Sequence, residues 1–95
     1  MKKNVFNGYV DKVVDLFNLK TDILFIKSKR KDIVDARHLL YYLCYERNIQ
    51  IRYIQEYMAY NGYEIGHSSI IYGISQVKYK IEEDADYQTI CNELV

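Results

Sequence analysis

His67, Ser68 and Ser69 set an imidazole beside two hydroxyls in consecutive positions. Such a cluster can activate a nucleophile, or it can meet base edges and phosphates. Catalysis would need an arranged nucleophile, base and acid together with an oxyanion loop. None is recognisable, so no enzymatic activity is expected. Neither His38 nor His67 has metal-ligand spacing, and Cys44 and Cys91 lie far apart without a Cys-x-x-Cys pattern. The expectation is two reduced thiols, no metal and no cofactor.

A second cluster is Lys27-Ser28-Lys29-Arg30-Lys31, four cations in five residues with nothing apolar to bury. It reads as an exposed loop able to meet phosphate. The net charge of +0 conceals an uneven distribution. Residues 1–80 carry all 13 cations and 8 acids, a balance of +5, whereas residues 81–95 carry 5 acids and no cation, a balance of −5. The acids of the last segment are Glu82, Glu83, Asp84, Asp86 and Glu93. A basic body suits a polyanionic partner, and an acidic end limits non-specific binding.

The elements that must hold these clusters are helical. The 95 residues include no proline and only 4 glycines, too few turn signals for a sandwich or barrel. Val10, Val13, Val14 and Phe17 share one helical face, followed by a short turn over Ile23, Leu24 and Phe25 that Thr21 is placed to cap. Asp32 is placed to cap the longest helix, from about Ile33 to Arg47, whose broad apolar face marks it as central. After a break at Asn48, Ile51, Ile54, Tyr57 and Met58 define a shorter helix. Asn61 and Gly62 supply a turn. From His67 the periodicity resumes through Ile70, Ile71, Ile74, Val77 and Ile81, with Ser68, Ser69, Tyr72, Ser75, Gln76 and Lys80 outward. Gly73 inside this helix signals close packing, and a last helix from about Asp86 to Leu94 would dock through Tyr87, Ile90, Cys91 and Leu94. Most tyrosines, such as Tyr41, Tyr45, Tyr57 and Tyr79, sit at packing positions.

The prediction is one all-α domain over residues 1–95, a compact bundle of about five or six helices, with 82–95 an acidic C-terminal helix or tail. No apolar run approaches the roughly 20 residues that span a bilayer, and no signal-peptide core follows the first residues. A cytoplasmic, nucleoid-associated protein without a membrane partner is expected. A short helix followed by one that opens on small polar residues suits a helix-turn-helix, whose second helix enters the major groove by its first turn.

Three segments, taken in order, resemble the C-terminal DNA-binding domain of the bacterial replication initiator DnaA. They are Val14-Asp15-Leu16-Phe17-Asn18-Leu19-Lys20 with Ile23-Leu24, the basic loop followed by Ile33-Val34-Asp35-Ala36-Arg37-His38 and Tyr42-Leu43, and Gly66-His67-Ser68-Ser69-Ile70-Ile71-Tyr72-Gly73-Ile74. The last is the most specific, because the family has Asp-His-Ser/Thr-Thr-Val there. The resemblance implies a Trp-repressor-like helix-turn-helix fold and a double-stranded DNA partner. It also implies a role in replication or transcription regulation, alongside proteins of those processes and with a homodimer compatible, for a stand-alone chain of phage or mobile-element type. It places His67, Ser68 and Ser69 in the major groove, and Lys29 with Arg30 at the minor groove. It gives Arg37 a phosphate or base contact. Lys27, Lys31 and Arg52 add electrostatic contacts, and His38 is either DNA-facing or an ordinary surface histidine.

Two departures matter. Gly66 stands where the family has an acid, which removes an acceptor for a cytosine amino group. The link from Ala59 to Gly66 exceeds a tight turn. No phosphate-binding Gly-x-x-x-x-Gly-Lys-Ser/Thr loop is present, so ATP hydrolysis is not expected. The competing expectation is a helical protein-interaction module that kept the fold and lost DNA binding.

Overall fold

Three helix ends set the course of the chain. In the computed structural model, which describes residues 2–95, the order is α1 (Lys2–Leu16), a short 3-10 helix (Thr21–Phe25), α2 (Lys31–Glu46), α3 (Ile51–Tyr60), α4 (His67–Glu83) and α5 (Ala85–Leu94). No strand occurs among the described residues. α1, α2 and α3 each end on a residue of positive φ, Asn18 (54°), Asn48 (65°) and Gly62 (92°). In each case the following amide reaches back to a helical carbonyl: Leu19 to Val14 at 2.8 Å, Ile49 to Cys44 at 3.0 Å and Tyr63 to Met58 at 3.0 Å. These are Schellman closures, in which orphan carbonyls are satisfied and an apolar residue is turned back onto the core. Leu19, Ile49 and Tyr63 all pack there. Asparagine is one of the few residues other than glycine that enters the left-handed conformation routinely, and glycine does so because it has no Cβ.

α2 lies at the centre, against α1 on one side and α4 on the other. Its Ala36, Leu39, Leu40, Leu43 and Cys44 are buried, with Phe6 and Val13 from α1, Ile54 and Met58 from α3, and Ile70 and Val77 from α4. Nearly all-round burial is what the broad apolar face of this helix requires. Gly73 lets α4 approach α2 closely: a Cβ there would lie 2.8 Å from His38 Cδ2 and 2.9 Å from Tyr41 Cδ2. A half-buried carboxylate adds a polar tie, since Asp35 pairs with Lys80 of α4 at 3.1 Å and with Lys31 at 3.3 Å.

Several expectations need correction. α1 begins at Lys2 and buries Phe6 and Tyr9 as well as its valines. Asp32 does not cap α2 from outside. It lies in the first turn, accepts the Ile33 amide at 2.9 Å and pairs with Arg30, which holds the cap position. Lys31 is accordingly helical and not part of the loop. Thr21 is the first residue of the 3-10 helix and makes no capping bond. Ile71 is 53% exposed because Ile70 takes the core-facing position beside it. Tyr79 and Ile90 are also exposed, whereas Cys91 carries the packing of α5. Asp84 caps α5 by accepting the amides of Asp86 and Tyr87, so the acidic end is a docked helix. No helix among the described residues is long and apolar enough to cross a membrane.

Candidate nucleic-acid interface

The link between α3 and α4 holds the start of α4 and the basic loop in one arrangement. Tyr63 emerges from the Gly62 turn beneath Arg37, whose guanidinium carbon lies 4.3 Å from the tyrosine ring centre. Arg37 is only 4% exposed. Its donors go to the carbonyls of Leu24 (2.8 Å), Ile26 and Ser28 (3.4 Å). The side chain expected to touch DNA therefore holds the chain that leads into the basic loop. With three donors committed to carbonyls, the side chain has a positioning role beside the DNA contact that the resemblance implies for it. Gln55 ties the far end of the link by donating to the Ile65 carbonyl at 2.7 Å.

The result is a cleft of about 430 Å³ between the loop and α4. Ser28 and Lys29 form one wall, Ser68, Ser69 and Tyr72 the other, and Arg37, His38 and Tyr41 contribute to its base. Lys29, His38, Ser68 and Ser69 are thus brought together from distant parts of the sequence. His67 is exposed at the first position of α4, outside this cleft. Arg52 lies in a neighbouring recess of about 550 Å³, with Glu56, Glu64 and Gly66. Tyr63 and Tyr72 were not anticipated as part of the site. The position of Tyr72, four residues after Ser68, was the available signal, because that spacing shares a helical face.

The start of α4 has no side-chain cap, since Gly66 holds the cap position in extended conformation and no acid occurs in the first turn. The amides there face outward as an anion-favouring end. Nearby cations differ in availability. Arg30 is engaged by Asp32 through two bonds of 2.9 and 2.7 Å. That contact raises the arginine's pKa and lowers the carboxyl's, each chiefly through the side-chain hydrogen bond. The pair lies at the surface and exchanges readily against another anion. Lys31 is shared with Asp35. Lys27 and Lys29 are exposed and make no ion pair among the described residues.

His38 is half-buried, edge-on to Tyr72 at 5.9 Å and tilted against Tyr41 at 6.4 Å. Burial lowers its pKa, with Lys80, Arg37 and Lys31 adding to the effect and Asp35 opposing it. The unfolded chain therefore binds this proton more readily than the folded one. Stability is complete above the ordinary histidine value of about 6.5 and declines as pH falls from there through the folded value. The urea midpoint is expected to be lower at pH 5 than at pH 7.5, with a smaller difference in His38→Gln. Equal differences in the two proteins would contradict this assignment.

Cys44 and Cys91 are buried free thiols whose pKa values burial pushes up to about 12 and about 11. Thiols in such surroundings are poor nucleophiles. No group of three or more His, Cys, Asp or Glu residues able to hold a metal ion occurs among the described residues. Compared with protein-family models, curated proteins and solved structures, the chain has no match.

Proposed function

We propose that the protein is a non-enzymatic reader of duplex DNA, with α3 and α4 acting as a helix-turn-helix. One observation carries this reading: Lys29 of the basic loop faces Ser68 and Ser69 across a single cleft, beside an uncapped helix start. His67, Ser68 and Ser69 enter the major groove, where a short first turn brings the backbone close to the bases. Lys27, Lys29 and the exchangeable Arg30 reach the adjacent minor groove and its phosphates. A narrow A/T-rich groove concentrates negative potential there. Arg37 positions this loop, and Arg52 meets backbone on the α3 side.

The resemblance to the DnaA DNA-binding domain supports the same reading and suggests a small regulator of replication or transcription. Gly66, lacking a carboxylate, argues for a different target sequence from that family's. Selection of bound duplexes from a random library tests the site. Ser68→Ala is expected to relax preference at one or two positions by roughly fivefold, the value of about 1 kcal/mol for one hydrogen bond. Lys29→Ala should weaken all sequences alike and reduce the salt slope by about 0.9. Unchanged enrichment in Ser68→Ala with an unchanged slope in Lys29→Ala would refute the assignment.

A second reading has its own observation. Ile71 is exposed beside Tyr45, Ile51 and Ile74 in an apolar recess of about 170 Å³. Such a surface suits a protein partner or a second copy of the chain. Absence of duplex binding at low salt, together with a stable protein complex lost in Ile71→Asp, would favour it.

A further inference from the structure

At the start of α1 and on α3, three cations gather over tyrosine rings. Lys2 Nζ lies 4.3 Å from the Tyr53 ring centre, Lys3 Nζ 4.1 Å from that of Tyr60, and the Arg52 guanidinium carbon 4.7 Å from that of Tyr53. Arg52 also donates to the Tyr53 hydroxyl at 2.9 Å. None of the three belongs to an ion pair among the described residues. Those pairs involve Arg30, Lys31 and Lys80. The distinction has consequences for charge: a carboxylate partner cancels a cation, whereas an aromatic face orients it and leaves its charge intact.

The placement of these cations also works against the fold. Lys2 and Lys3 occupy the first turn of α1, which contains no acid. Cations at that end oppose the helix dipole. Tyr60 is 73% exposed, so Lys3 lies over an open ring at the surface. Arg52 borders the recess that contains Gly66, directly before α4. Lys29 lines the cleft with Ser68 and Ser69, Arg52 lines the neighbouring recess with Gly66, and Arg52 shares the Tyr53 ring with Lys2.

We propose that Lys2, Lys3 and Arg52, held over Tyr53 and Tyr60, form a second phosphate-binding surface that carries the duplex footprint beyond the groove on the α3 side. This inference rests on the duplex-reading function above. Glu56 and Glu64 in the recess beside Arg52 repel phosphate, which confines the backbone to the outer, tyrosine-lined side.

The test compares the full chain with Lys2→Gln/Lys3→Gln and with Lys2→Arg/Lys3→Arg on random-sequence duplexes, by salt titration and by hydroxyl-radical protection. The glutamine variant should lose about 1.8 from the magnitude of the log-log salt slope, 0.9 for each contact removed. It should also lose protection on one side of the footprint while keeping the same base preference. The arginine variant should restore both slope and protection. A wild-type chain that binds with the same slope and protection as the glutamine variant overturns this surface and leaves the duplex-reading function standing. A wild-type chain that binds no duplex overturns both. Both side chains are exposed, so unchanged circular dichroism confirms that the variants remain folded.

Discussion

Replacing Arg37 by alanine is expected to lower folding stability by roughly 3 kcal/mol and to remove tight duplex binding. Both effects have one cause. The substitution leaves the buried Leu24 carbonyl without its donor, at a cost of about 1–3 kcal/mol, and also releases the part-buried Ile26 and Ser28 carbonyls. Tyr63 also loses the guanidinium stacked on it. For a domain of this size, roughly 3 kcal/mol corresponds to a fall in Tm of about 12–24 °C. Arg37→Lys should recover little, because an ammonium lacks the planar fork that reaches several acceptors and stacks on a ring. Lys29→Ala provides the contrast: exposed and unpaired, it should leave stability within about 0.5 kcal/mol of wild type while weakening binding. If Arg37→Ala melts like the wild type yet loses affinity, the side chain touches DNA directly and the positioning role is wrong.

Gly73→Val should cost about 2–3 kcal/mol, read as a lower urea midpoint with unchanged slope. A Cβ at this position meets the His38 and Tyr41 rings at 2.8 and 2.9 Å, closer than non-bonded carbons approach. Tyr41 is buried and has little freedom to yield. Overpacking of this kind costs about 1–3 kcal/mol, and the β-branched side chain offers little helix propensity in return. In Gly73→Ala a propensity gain of about 1 kcal/mol offsets part of the clash, so the loss should be smaller. Truncating His38 to alanine in the same chain should relieve part of the strain, giving a non-additive cycle. A Gly73→Ala chain more stable than wild type by the full propensity gain would show that α2 and α4 do not meet this closely. His38 and Tyr41 also line the cleft, so either substitution at Gly73 should disturb duplex binding.

The two positions also show how far a sequence can be read. Gly73 declares itself, because a glycine inside an otherwise periodic helix costs stability unless something lies close. Asn48 and Gly62 declare helix ends for similar reasons, and the all-α bundle follows from periodicity and the lack of proline. Arg37 gives no such sign. An arginine after a basic loop looks like a phosphate ligand until the fold places three carbonyls around it. The first half of α1 was hidden because Asn4, Asn7 and Gly8 are weak helix formers, and Phe6 and Tyr9 bind it to the core through tertiary contacts. Ile70 and Ile71 are indistinguishable by composition, and a small rotation of α4 decides which of them is buried. Of the candidate site, the partnership of the loop with the start of α4 was legible. The gathering of Lys2 and Lys3 over Tyr53 and Tyr60 was not, because it joins residues some fifty positions apart.

Duplex binding by the basic loop together with the cations of α1 and α3 is tested most directly by fluorescence anisotropy of a labelled random duplex across a salt series. With Lys27, Lys29, Arg30, Arg52, Lys2 and Lys3 each meeting a phosphate, the account predicts a log-log slope of about −5, from roughly 0.9 per contact. A folded chain whose affinity does not change with salt, or that leaves the duplex unbound at low salt, would contradict it.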